Sequence, residues 1–161
     1  MADRQDSVAR ASEAAVALRR ELHRHPELSW REVETTKKIA ARMAELGVSV
    51  VKKGFKGTQC GLVAEIKGAK PGPTLMIRAD IDALPVAEDP SHDVASECAG
   101  VMHACGHDAH AAILAGVVQV VQEHRDELCG AVRFLFQPAE EAGPGSGAPA
   151  VIADGALEGV D

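Results

Sequence analysis

The sequence predicts an α/β layered fold built on a mixed or mostly parallel sheet. Three observations lead there. Segments with helical spacing of apolar residues alternate with short strand-like runs. Two of those runs, LMIRADI (75–81) and VRFLFQ (132–137), are almost continuously apolar, as strands covered on both faces are. Residues able to carry chemistry fall just past strand ends or at a helix start, where open α/β sheets bind their ligands.

The elements follow in order. Residues 7–24 carry Val8, Ala11, Ala15, Leu18 and Leu22 at helical spacing, with Ser7 as N-cap and Pro26 as the stop. A second helix is predicted from about Arg31 to Leu46, closed by Gly47. VSVVKKGF, QCGLVAEIKG and PTLMIRADI then read as strands separated by Gly and Pro turns. Residues 87–100 read as a loop, and helical spacing returns from about Asp108 to Glu127. VRFLFQ is a further buried strand, ended by Pro138. GPGSG (143–147) reads as a flexible loop and APAVIADGAL as a short closing helix.

Composition limits the function classes. The 161 residues suffice for one domain with its own core. With 46% hydrophobic and 25% charged residues, the chain is globular in character. Only three Phe and one Trp are present and no Tyr, so the core must rest on Val, Leu, Ile and Ala. The net charge of −7 and the scattered basic residues argue against a nucleic-acid partner. MADRQDSVAR has no apolar segment of a secretory signal, and AAILAGVV is too short to span a bilayer, so a cytoplasmic protein without a membrane partner is expected. Cys60, Cys98, Cys105 and Cys129 form no C-x-x-C pair and no disulfide framework.

Three segments concentrate the chemistry. MHACGHDAH (102–110) holds three of the seven His. Cys105 and His107 reach one metal only if the chain turns sharply, which Gly106 permits. The following helix N-terminus favours a thiolate at Cys105, and zinc-like ions accept both S and N donors. The plainer reading is a helix start capped by Asp108, with His on its surface; His103 and His110 are left open as further donors. In FLFQPAEE (134–141) two carboxylates follow a buried strand. They are either a solvated turn or a pair with divided roles, one binding metal and one acting as general base. In RADIDALP (78–85), Asp80 and Asp82 alternate along the strand exit. They are either turn residues before Pro85 or carboxylates that orient a ligand His.

Five segments together, RRELHRHPELS (19–29), RADIDALPV (78–86), GVMHACGHDAH (100–110), FLFQPAEE (134–141) and DGALEGVD (154–161), resemble the M20 metallopeptidase family in its amidohydrolase branch. That branch includes hippurate hydrolases, N-acyl-amino-acid amidohydrolases and plant auxin-conjugate hydrolases. The resemblance implies a three-layer sandwich with a mixed, mostly parallel sheet and helices on both faces. It implies Cys105, His107 and Glu141 as metal ligands and Glu140 as the catalytic base activating a metal-bound water. It implies two divalent ions per complete site, of Zn, Mn, Ni or Co, and a small N-acyl amino acid as substrate. Asp82 falls where sister branches keep an orienting carboxylate. Asp80 falls where they have a ligand His, and it is not assigned to metal.

The resemblance further implies two His ligands beyond Asp161, and an inserted domain through which members often homo-oligomerise. Residues 1–161 are therefore expected to be the N-terminal part of the catalytic domain, with the inserted domain and the C-terminal part absent. A different class of function is the alternative: an inactive remnant that binds metal weakly or serves only as an interaction domain. A closed Cys/His zinc module is a third reading, and it predicts metal binding that survives loss of Glu141.

Overall fold

The computed structural model describes residues 3–161. Helix α1 spans Arg4–Arg24 and α2 spans Val33–Glu45. Strands β1 (Ser49–Lys53), β2 (Leu62–Lys67) and β3 (Lys70–Asp80) follow. After a long loop come α3 (His107–Glu123), β4 (Cys129–Gln137) and the short α4 (Gly147–Ala153). Among the described residues no helix is long and apolar enough to cross a membrane.

The four strands form one sheet in the order β1-β2-β4-β3. The expected α/β class with a mixed sheet holds, but the balance of directions differs from the expectation. Among the described residues only strands β3 and β4 pair in parallel; β1–β2 and β2–β4 are antiparallel. The parallel pair is joined through α3, the crossover such a pair requires. β4 runs between β2 and β3, so its alternation sorts side chains to two covered faces. Val132, Phe134 and Phe136 join Leu62, Ala64 and Ile66 in the main core under α1, α2 and α3. Leu135 and Val63 face the other way, into a smaller cluster with Phe55, Val151 and Ala156 beside α4. Helices therefore lie on both faces of the sheet among the described residues, α1, α2 and α3 on one and the short α4 on the other.

Three local readings of the sequence are corrected. LMIRADI is not covered on both faces: β3 is an edge strand, and Leu75 is 57% exposed. Its apolarity resembles that of an internal strand, but it has a neighbour on one side only. α1 begins earlier than Ser7; Asp3 is the cap, accepting the Gln5 N–H at 3.1 Å. Ser7 instead lies buried inside the helix with its hydroxyl 3.1 Å from His124 Nε2. The Pro- and Gly-rich stretch after the Glu pair forms 3-10 turns over Glu140–Gly145, kinked at Gly143, and then enters α4 directly at Gly147.

The loop between β3 and α3 is tied to the helical layer by His23 of α1. His23 Nε2 lies 3.0 Å from Glu88 Oε1, and Nδ1 lies 2.7 Å from Asp108 Oδ2. Arg19 Nε donates to Asp108 Oδ2 at 2.8 Å. Glu88 also accepts the Ser96 N–H at 2.6 Å and faces His92 at 3.2 Å. The His23 hydrogen bond, ahead of burial acting the other way and of the Ser96 and His92 bonds, holds the Glu88 carboxyl down to about 2.

A carboxyl held low contributes stability above the ordinary carboxylate range and loses it as the pH falls toward 2. The urea midpoint of the parent is therefore expected to decline below about pH 4.5 more steeply than that of Glu88→Gln. The difference between the two should shrink through that window. A difference that stays constant from pH 6 to pH 3 contradicts the assignment.

Candidate metal centre

The three chemistry-bearing segments meet at one end of the sheet. β3 and β4 run parallel in register, Asp80 opposite Gln137, so the chain leaving each strand emerges at the same edge. Asp82 follows β3, and Glu140 and Glu141 follow β4. α3 begins at that edge too, with His107 as its first residue. Gly106 precedes it in the left-handed conformation, φ 90 and ψ 18, and makes the sharp turn anticipated between Cys105 and His107. Cys105 and His107 thus face Glu141: one ligand atom from each of the three lies within 4.8 Å of the others. Among the described residues this is the one group of His, Cys, Asp and Glu arranged this way.

His107 is held in one orientation. Its ring is buried, and Nδ1 donates to the Asp82 carbonyl oxygen at 2.9 Å, with Asp82 Oδ1 at 3.3 Å. A carbonyl oxygen only accepts, so Nδ1 carries the proton and Nε2 is turned toward the carboxylates. Nε2 lies 3.9 Å from both Glu140 Oε2 and Glu141 Oε1. The Asp82 side chain raises the proton affinity of His107 to about 9 against the opposing effect of burial. Burial pushes Asp82 upward, but the bonds from His107, Ser29 and the Glu141 and Glu140 amides outweigh it and hold Asp82 below its usual value. Ser29 Oγ donates to Asp82 Oδ2 at 2.7 Å, and the Glu141 N–H to the same oxygen at 2.9 Å.

Cys105 departs from expectation. Its thiol is pushed up, first by Glu141, then by burial and by the charges of Glu141, Glu140 and Asp82. The helix N-terminus begins two residues later, and the nearer carboxylates outweigh it. Sulfur, imidazole nitrogen and carboxylate oxygen around one point, crowded with anionic charge and anchored by an outer carboxylate, fit a divalent cation of the zinc class.

Other candidates fall elsewhere. Asp80 is bound by its own neighbour: Arg78 Nε and Nη2 donate to Oδ1 at 2.9 and 2.7 Å. Asp80 is the last residue of β3, and Asp82 follows two residues beyond the strand end. His110 is exposed on α3 beside the His107 ring, 5.6 Å between centroids. His103 is buried with neither ring nitrogen hydrogen-bonded, and burial lowers it to about 4. Sequence reasoning missed Ser29, Glu32 and the His23 tie. Ser29 sits inside a segment singled out by its motif; Glu32 has no local signal beyond an acidic residue at a helix start.

Comparison with known proteins places the chain in a family. Residues 76–161 match the family model "Peptidase family M20/M25/M40". The chain is 48% identical over 145 residues to N-acetylcysteine deacetylase of Bacillus subtilis (strain 168), covering 90% of the chain and 37% of that protein. It is 42% identical over 146 residues to the N-acyl-L-amino acid amidohydrolase of Geobacillus stearothermophilus, covering 91% of the chain and 38% of that protein. The crystal structure of the Bacillus subtilis YXEP protein, described as a dinuclear metal binding peptidase, superposes with a TM-score of 0.87 at 45% identity. That match covers 99% of the chain and 42% of the other. The chain thus spans under two fifths of the length of these two curated relatives.

Proposed function

Because the chain belongs to peptidase family M20/M25/M40, we propose that it supplies the ligands and the general base of a metal-dependent amidohydrolase acting on N-acyl amino acids. The single observation that carries this reading is the meeting of Cys105, His107 and Glu141 at the sheet edge with Glu140 beside them. In this reading residues 1–161 are the N-terminal part of the catalytic domain.

Cys105 Sγ, His107 Nε2 and a Glu141 oxygen would hold a divalent ion. When bound, such an ion polarises an amide carbonyl and makes water more acidic. The protein's own residues do the rest. Asp82 fixes the His107 tautomer so that Nε2 faces the donor set. Glu140, with its side chain 42% exposed, accepts the proton of the attacking water and returns it to the leaving amine. Hydrolysis then yields a carboxylic acid and a free amino acid. The names of the relatives, a deacetylase of N-acetylcysteine and an amidohydrolase of N-acyl amino acids, support this substrate class.

A second reading has its own support. The chain spans 37–38% of these relatives, and in this second reading the gathered donors hold metal without turning over substrate. One experiment separates the two. The purified protein is analysed for metal and offered N-acetyl and N-benzoyl amino acids beside dipeptides. Turnover of the acylated substrates that a chelator stops, and Zn2+ or Mn2+ restores, is the expected result. Metal-loaded protein that cleaves none of them overturns the hydrolase reading in favour of the second.

A further inference from the structure

The turn carrying Glu140 and Glu141 is held in a conformation its sequence does not favour. Ala139, wholly buried, has φ 54 and ψ 44. A residue with a Cβ disfavours this left-handed region. The turn therefore persists only because its surroundings impose it. The Ala139 N–H donates to Glu32 Oε1 at 2.7 Å, and its carbonyl accepts the Gly147 N–H at 2.7 Å. Gly147 is itself constrained: a Cβ there would stand 1.8 Å from the Pro138 oxygen. Two residues on, the Glu141 N–H is held by Asp82. Glu140 stands between two amides, each gripped by a buried carboxyl group.

Glu32 is oddly placed for an ordinary role. It occupies the N-cap position of α2, where an acidic side chain normally bonds the free amides of its own helix. It makes no such bond. Glu27 does that work from outside, accepting the Glu34 N–H at 3.2 Å and the Thr35 N–H at 2.7 Å. Glu32 is left wholly buried, reaching a residue 107 positions away. Burying a carboxyl group is costly without a specific partner. Burial accordingly raises its proton affinity, and the hydrogen bonds from its own amide and from Ala139 oppose that rise. Its backbone is pinned as well: the Glu32 carbonyl accepts the Thr36 hydroxyl at 2.6 Å, and Thr36 Oγ1 accepts the Gly61 N–H at 2.8 Å.

We propose that Glu32 is a positioning residue, which locks Ala139 in its left-handed turn and so sets where Glu140 stands relative to Cys105, His107 and Glu141. The catalytic part of this inference rests on the reading of Glu140 as the general base. Glu32 touches no substrate; it acts through the backbone.

The test uses Glu32→Gln, Glu32→Ala and the double variant Glu32→Ala with Ala139→Gly. Gln keeps an oxygen able to accept the Ala139 N–H. Gly adopts positive φ without the Cβ penalty, so the turn forms without its hold. Glu32→Ala is expected to lower kcat about 10- to 100-fold with little change in KM, as misplacement of a reacting group does. Glu32→Gln should keep kcat near the parent value, and Ala139→Gly should recover part of the loss. Hydrogen exchange of the Ala139 amide, followed by NMR without substrate, gives a readout independent of turnover. The amide should be protected in the parent and in Glu32→Gln and should exchange faster in Glu32→Ala.

Unchanged kcat in Glu32→Ala, or an Ala139 amide still protected there, overturns the proposal. So does a Glu32→Gln variant as impaired as Glu32→Ala. Should Glu32→Ala not fold, exchange in Glu32→Gln decides: retained protection supports the hold and its loss removes it. A parent that hydrolyses no N-acyl amino acid removes the reading of Glu140 alone, and the exchange data then decide the hold on Ala139.

Discussion

Glu140→Gln is expected to lower kcat for N-acyl amino acid hydrolysis by about 10²- to 10⁴-fold while leaving the metal content unchanged. Gln matches Glu in shape but cannot accept a proton, so the substitution removes the base and little else. The three donors gathered at one point, Cys105, His107 and Glu141, are untouched. The Glu140 side chain is 42% exposed and is not needed for packing, so stability should move little. The assignment of base against ligand is what this variant decides, because Glu140 and Glu141 are adjacent and equally far, 3.9 Å, from His107 Nε2. Elemental analysis beside initial rates reads both quantities in one preparation. Loss of metal in Glu140→Gln would exchange the two roles; a kcat within tenfold of the parent would remove the general base altogether.

His107→Ala carries the second large effect, and it acts on metal and fold together. Removing an outer partner of a metal ligand typically costs 10- to 100-fold in affinity, so removing the ligand itself should cost at least about that much. Calorimetric titration with Zn2+ and with Mn2+ measures it. The fold is affected because His107 is buried and bridges α3 to the exit of β3 through the Asp82 backbone and side chain. Asp82, 1% exposed, would keep Ser29 and the Glu141 amide on its carboxylate, but its carbonyl oxygen would lose the imidazole. Leaving such a group partly unsatisfied costs about 1–3 kcal/mol. Cys105, by contrast, is exposed, so Cys105→Ala should reproduce the loss of affinity with a smaller loss of stability. An unchanged Zn2+ affinity in His107→Ala would exclude this cluster as the metal centre.

The helices and the internal strands were legible because each is marked by local patterning. Helical spacing outlined α1 and α3, Gly and Pro turns bounded β2, and a near-continuous apolar run located β4; β2 and β4 are the two strands with neighbours on both sides. The same cue misread β3, because apolarity records a tendency to be covered and not which strand arrives to do it. The turn at Gly106 was legible as well, since glycine between a thiol and an imidazole has a direct conformational reason. The strand directions were not, because parallel and antiparallel pairing differ only in how distant segments meet.

By itself, then, the sequence determined the α/β class, the order of elements and the three segments that carry S, N and O donors. Those properties reside in residue types and short spacings, which act over a few positions. Only the tertiary structure decided that Asp82 anchors His107 while Asp80 is tied to Arg78, and that Glu32 crosses 107 residues to hold Ala139. These outcomes depend on which buried polar group finds which partner. Burial makes the pairing obligatory, and the partner is chosen by the fold's long-range topology, which no local pattern encodes.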